Sequence, residues 1–126
     1  MAQAREELTD ELMQALGEDG FYALTEAYGG TRLYVPGNPD RSELPAAIGH
    51  DNAIRLSNLF PGGYIRVPLA REFRAARYRD GGASNRDIAR RLGITEGGVD
   101  RLFQRRLSRQ PELRKSKKDP RQTELF

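Results

Sequence analysis

The stretch Ser84-Asn85-Arg86-Asp87-Ile88-Ala89-Arg90-Arg91-Leu92-Gly93-Ile94-Thr95-Glu96-Gly97-Gly98-Val99-Asp100-Arg101-Leu102 decides the fold of the second half of this 126-residue chain. Ser84 is placed to cap a short helix ending near Leu92. Gly93 supplies a left-handed turn residue, Ile94 plugs the turn, and Thr95 caps the next helix. Ile88, Leu92, Val99 and Leu102 recur at the spacing that fills the wedge between two crossed helices, and Ala89 is small where the helices approach. This is helix-turn-helix spacing. Upstream, Phe73, Ala76 and Arg77 lie on a supporting helix from about Ala70 to Asp80, broken by Gly81-Gly82.

In such a pair the second helix enters the DNA major groove, its N-terminal residues near base edges and the preceding helix against the backbone. Here that helix is predicted over 96–107. Val99, Leu102 and Phe103 face the wedge, while Glu96, Gly97, Asp100, Arg101, Gln104 and Arg105 point outward. Arg101 and Gln104 lead for base readout, since Arg pairs with guanine O6/N7 and Gln with adenine N6/N7. Glu96 or Asp100 is able to accept from cytosine N4, and for Asp100 orienting Arg101 stands ahead of that role. Gly97-Gly98 is costly, roughly 1 kcal/mol per glycine against Ala inside a helix. Either the backbone approaches phosphate or a thymine methyl closely there, or the first turn is frayed and firms up on DNA. Arg71, Arg74, Arg86, Arg90, Arg91 and Arg105 are candidates for phosphate contacts, against the alternative of an ordinary solvated surface.

Charge agrees with this division. Residues 1–63 hold 4 basic and 10 acidic side chains, net −6, whereas residues 64–126 hold 17 basic and 8 acidic, net +9. The second half is therefore expected to meet a polyanion and the first half to do something else. Arg supplies 18 of the 21 cations, which suits bidentate contact with phosphate or guanine.

The first half carries short elements. Thr9 is placed to cap a helix bearing Leu8, Leu12 and Leu16, with Gly17 ending it, and a second helix at about 19–28 carries Phe21, Leu24 and Tyr28. Thr31 to Pro36 alternates as a strand, and Asn38-Pro39-Asp40 is a turn. Ser42 or Glu43 opens a short helix to about Ile48, broken at Gly49, and Asp51 is placed to cap another with Ile54, Leu56, Leu59 and Phe60. Tyr64 to Pro68 then alternates again. Leu24 to Pro36 (LTEAYGGTRLYVP) thus returns as Leu56 to Pro68 (LSNLFPGGYIRVP), a helix, Gly-Gly, strand, Pro unit used twice at an offset of about 32 residues. Two such short strands are marginal alone, so they are expected to pair within the chain or across a homodimer.

Composition excludes much else. Leu, Ile, Val and Phe number only 27 of 126 residues, just enough for a core, and a small core often means a partner. Without Cys and with one His there is no disulfide, thiolate or His-based zinc site, and a cytoplasmic location is expected. No run approaches the roughly 20 apolar residues of a membrane span, and Ala4-Arg5-Glu6-Glu7 has the wrong sign for a secretory signal. His50 reads as a surface residue rather than a catalytic base, and Tyr28, Tyr34, Tyr64 and Tyr78 as core or interface. There is no P-loop, dinucleotide fingerprint or RNA-binding aromatic signature, so neither an enzyme nor a cofactor is expected.

Gly29-Gly30-Thr31-Arg32-Leu33-Tyr34-Val35-Pro36, the Ile48-Gly49 element before a Leu-rich helix, Gly62-Gly63-Tyr64-Ile65-Arg66-Val67-Pro68, and Arg86 to Ile94 together resemble the Mor transcription activators of Mu-like bacteriophages and their prophage relatives, over about residues 20–105. The resemblance implies a homodimer made by the N-terminal helices and strands; from the short strands and the small apolar content, Leu33, Tyr34, Val35, Ile65 and Val67 are the candidate interface residues. It also implies two reading heads on a dyad site and recruitment of RNA polymerase. Dimerisation is expected independently, because one reading helix contacts few base pairs and two half-sites about 34 Å apart are the usual route to specificity.

The end of the chain adds a competing reading. Residues 108–126 contain Pro111, Pro120 and six cations and are expected to be a disordered basic tail. Gln122, Leu125 and Phe126 resemble the Q-x-x-L-F peptide that docks on the bacterial sliding clamp, which points to a replication-linked adaptor. A phage packaging subunit of the small-terminase kind is a further alternative. The expectation is a mainly α protein with a small β element: residues 1–69 a helical, two-strand dimerisation region, 70–107 a helix-turn-helix DNA-binding domain, then the tail.

Overall fold

The computed structural model describes residues 2–109. Among them are six α-helices and one two-stranded antiparallel sheet, so the protein is mainly helical with a small β element. None of these helices is long and apolar enough to cross a membrane. The chain divides after Ala70 into two compact units. Ala70 holds a left-handed backbone with φ 52°, a conformation that costs a non-glycine residue roughly 1–2 kcal/mol.

The first unit opens on α1 (Ala2–Tyr28). Ala, Glu and Leu dominate its start and are strong helix formers, so the helix begins well before Thr9. Thr9 therefore lies inside α1 instead of capping it. Gly17 does interrupt the helix, at φ 75° and ψ 173°, and the segment beyond it presents Phe21 and Leu24 to the core beside Leu12 and Leu16. A 3-10 turn (Pro39–Arg41) capped by Asn38 leads to α2 (Leu44–Ile48), where the Ser42 hydroxyl accepts the Leu44 N–H at 3.2 Å. Gly49, φ 95°, separates α2 from α3 (His50–Leu59) and is itself the cap, which leaves Asp51 in the first turn, where its charge still suits the helix dipole. At Gly20 the helices touch: a Cβ there would stand 2.5 Å from Asn52 Oδ1.

Strands β1 (Arg32–Val35) and β2 (Gly63–Arg66) pair with each other, in the register Arg32↔Arg66, Leu33↔Ile65, Tyr34↔Tyr64 and Val35↔Gly63. The sequence repeat accounts for this pairing. Leu33 and Ile65 occupy equivalent places in the two copies and are direct partners, so a local two-fold passes between them. Leu24 and Leu56, also equivalent, are both fully buried. The Gly30 N–H donates to the Val67 carbonyl at 2.9 Å, and the Gly62 N–H donates to the Val35 carbonyl at 2.8 Å. Each copy's glycine thereby closes the other copy's strand. Positive φ at both, 81° and 74°, explains why glycine stands there.

This arrangement corrects the expected dimer interface. Val35, Ile65 and Val67 are 0%, 7% and 1% exposed, and Leu33 is half-buried. The strands find their partner inside the chain, and their apolar face packs on the chain's own core. Of the five strand residues assigned to a dimer contact, Tyr34 alone is classed as exposed.

The second unit consists of α4 (Arg71–Asp80), α5 (Asn85–Leu92) and α6 (Glu96–Arg109). Its core is Ala75, Tyr78, Ile88, Ala89, Val99 and Leu102, with Leu92 and Ile94 half-buried at the edge. α6 runs two residues past its expected end, so Ser108 and Arg109 belong to the helix and not to a tail. Gln122, Leu125 and Phe126 lie outside the described residues.

Candidate nucleic-acid interface

The turn that presents α6 is built from short-range bonds. The Ser84 hydroxyl accepts the Asp87 N–H at 3.2 Å and the Asp87 carboxylate accepts the Ser84 N–H at 3.4 Å, a reciprocal cap that fixes where α5 starts. Gly93 ends α5 in the left-handed region, φ 70° and ψ 35°, and the N–H groups of Gly93 and Ile94 both reach the Ala89 carbonyl. Thr95 then caps α6, its hydroxyl accepting the Gly98 N–H at 2.9 Å. The first turn of α6 is thus formed through Gly97 and Gly98, which corrects the frayed-turn alternative. Gly98 has a packing reason: a Cβ there would lie 3.3 Å from Thr95 Oγ1 and 3.5 Å from Ile94. At Gly97 a Cβ would meet nothing closer than 3.7 Å, so crowding does not explain that glycine.

With Val99 and Leu102 committed to the core, the outward residues of α6 are fixed by helical geometry. Glu96, Gly97, Asp100, Arg101, Gln104 and Arg105 are all exposed. Arg101, Gln104 and Arg105 line an open depression of about 420 Å³ together with Ser108 and Arg109. Arg101 and Arg105 also border a smaller one of about 210 Å³, shared with Arg71, Ile94, Thr95 and Gly98. The two depressions share Arg101 and Arg105, which brings Arg71, Arg101, Gln104 and Arg105 into one neighbourhood.

The remaining candidates are placed differently. Arg86, Arg90 and Arg91 are exposed on α5 but line neither depression, and the Arg91 guanidinium rests 4.9 Å from the Tyr78 ring centroid. Arg74 is half-buried and donates to the Tyr78 hydroxyl at 3.2 Å, so it packs the α4 surface rather than standing free in solvent. Asp100 departs from expectation: its carboxylate accepts from Asn85 Nδ2 at 2.8 Å instead of orienting Arg101. Asn85 Oδ1 in turn accepts from Arg79, whose guanidinium lies 4.7 Å from the Phe103 ring centroid. Arg79, Asn85 and Asp100 thus join α4, α5 and α6 by side chains, and Arg109 donates to Glu72 across α6 and α4.

Spacing rules did not reveal Asn85 and Arg79, because a bridge between residues 15 apart across a turn has no sequence period. His50 is exposed, its Nδ1 3.6 Å from Asp40 Oδ1, a surface contact. Among the described residues no group of three or more His, Cys, Asp or Glu is arranged to hold a metal ion. Comparisons of the chain with protein-family models, characterised proteins and solved structures found no match. The geometry of the site carries the functional argument.

Proposed function

We propose that this protein is a sequence-specific duplex-DNA-binding regulator of transcription, with α4 to α6 forming a helix-turn-helix head and α6 as its reading helix. The observation that carries this proposal is the segregation of α6. Val99 and Leu102 are buried, and on the opposite side Arg101, Gln104 and Arg105 stand exposed around shared depressions with no acidic side chain lining them. Arg101 and Gln104 have the donor patterns that read guanine and adenine edges, while Arg71 and Arg105 flank them as phosphate contacts. Asn85 holds Asp100, and through it α6 is fixed against α5. One head per chain reads few base pairs, so two chains on a dyad-related site supply specificity, joined by a surface other than the paired strands. A phage-type activator that recruits RNA polymerase is the biological setting that the Mor resemblance supports.

The test is selection of a preferred duplex followed by gel-shift titration. Arg101→Ala is expected to weaken binding to the selected site by about 1–3 kcal/mol, while leaving binding to unrelated duplex nearly unchanged. Equal affinity of the parent protein for every duplex overturns the proposal. Light scattering of the complex is expected to give two chains per site.

A further inference from the structure

The exposed face of the sheet in the first unit has no part in the proposed duplex contact. Cross-strand partners share a face, so the register sets Arg32 opposite Arg66 and Tyr34 opposite Tyr64, on the side away from Val35 and Ile65. Tyr34 and Tyr64 are 49% and 62% exposed. Their rings meet edge to face with centroids 5.1 Å apart, and the Arg32 guanidinium lies 4.1 Å from the Tyr64 centroid.

The ring pair and the Arg32–Tyr64 contact are stabilising, but they do not account for the two facing arginines. Like charges directly opposite one another across a strand pair are destabilising, and among the described residues neither Arg32 nor Arg66 pairs with a carboxylate. Carboxylates are not scarce, since residues 1–70 contain ten of them against five arginines and no lysine. Two of those five arginines nevertheless stand together beside two solvent-exposed aromatic rings.

We infer that this face binds an unpaired DNA strand, its bases stacking on Tyr34 and Tyr64 and its phosphates meeting Arg32 and Arg66. Charge complementarity calls for an anionic ligand, and the open rings call for one that carries flat π faces. A single strand supplies both at every nucleotide. A duplex keeps its base faces inside its own stack, and an acidic peptide offers charge without the flat surfaces. The choice of DNA over RNA rests on the proposed function of the second unit; the strand-binding face itself does not.

The test uses the full chain, a labelled 12-nucleotide oligo(dT) and fluorescence anisotropy. Because the chain has five Tyr and no Trp, quenching of its intrinsic emission that is lost in the Tyr34→Ala and Tyr64→Ala variants reports stacking on those two rings. Tyr64→Ala and Tyr34→Ala are each expected to weaken oligo(dT) binding by about 5- to 150-fold, the range for loss of one stacked base. Tyr64→Phe should bind as the parent does, and Tyr64→Leu, which keeps an apolar cross-strand neighbour, should lose as much as the alanine variant. Replacing Arg32 or Arg66 by Gln should each lower the salt slope by about 0.7. Duplex affinity should be unmoved in all six variants, so this outcome and that of Arg101→Ala are independent. The inference is overturned if Tyr64→Leu and both alanine variants bind oligo(dT) like the parent. It is equally overturned if Arg101→Ala alone abolishes that binding, if poly-glutamate displaces the strand as well as oligo(dT) does, or if oligo(rU) is strongly preferred.

Discussion

Both units use local side-chain and main-chain caps, and they differ in the bonds that join segments distant in sequence. In the first, main-chain groups join the two strand segments: Gly62 donates to Val35 at the end of β1 and Gly30 to Val67 just past β2, and the equivalent Leu24 and Leu56 are both fully buried. In the second, side chains do this: the Arg79, Asn85, Asp100 bridge and the Arg109–Glu72 pair link separate helices. A unit joined by its backbone tolerates varied surface residues but not altered glycines. A unit joined by side chains keeps a regular backbone and so presents a helix at a defined angle. The contrast follows the charge division, net −6 over residues 1–63 and net +9 over residues 64–126; under the proposed function the basic unit is the one that meets DNA.

The largest expected effect concerns the internal two-fold. Leu24→Ala and Leu56→Ala each empty a fully buried site, and each is expected to cost about 2–5 kcal/mol in denaturant unfolding. Similar losses from the two would support the equivalence of the copies. A loss confined to one would show that the repeat is a likeness of sequence without a likeness of load.

A smaller effect tests the glycine closure. Gly30→Ala and Gly62→Ala place a Cβ at positive φ, and each should lower stability by roughly 1–2 kcal/mol. Gly30→Ala should fall at the higher end, because its Cβ would lie 3.2 Å from Leu69 Cδ1, whereas at Gly62 the nearest atom is 3.9 Å away. In the second unit the matching probe is a side chain. Ser84→Ala removes the reciprocal cap of α5 and is expected to cost about 1 kcal/mol, measured by thermal unfolding. If Ser84→Ala proved the most damaging of these substitutions, the division between backbone-joined and side-chain-joined units would fail.

The second unit was largely legible because its signals are local. Ser84, Gly93 and Thr95 act within three or four residues of themselves, and the wedge of Ile88, Ala89, Val99 and Leu102 follows from helical period. The first unit was legible in its elements but not in its assembly. Alternation marks both strands, yet nothing in a strand's own residues says whether its mate lies 32 residues on or in another chain. The repeat contained that answer, since equivalent positions that pair antiparallel generate a two-fold within one chain, and the apolar strand face then has no role left at a dimer contact. Thr9 misled because a cap residue inside a run of strong helix formers is overridden by them. Asp100 misled because its nearest candidate in sequence was Arg101, while its partner comes from another helix.

The smallest expected effect bears most closely on α6, the proposed reading helix. Gly97 and Gly98 are neighbours of the same type with different surroundings, so replacing each by Ala separates propensity from packing. Gly97→Ala adds a methyl whose nearest neighbours are Arg101 Nη1 at 3.7 Å and Thr95 Oγ1 at 3.9 Å, ordinary contacts, and should raise stability by about 1 kcal/mol. Gly98→Ala gains the same propensity but presses on the hydroxyl that accepts its own N–H, so its benefit should be smaller or absent. Duplex binding then decides why Gly97 is there. Loss of affinity for the selected site in a Gly97→Ala protein that is more stable than the parent would place its backbone against DNA, since a better-formed helix could weaken binding only by standing in the way. Unchanged affinity would remove Gly97 from the proposed interface and leave Arg101 and Gln104 as the candidates for base readout.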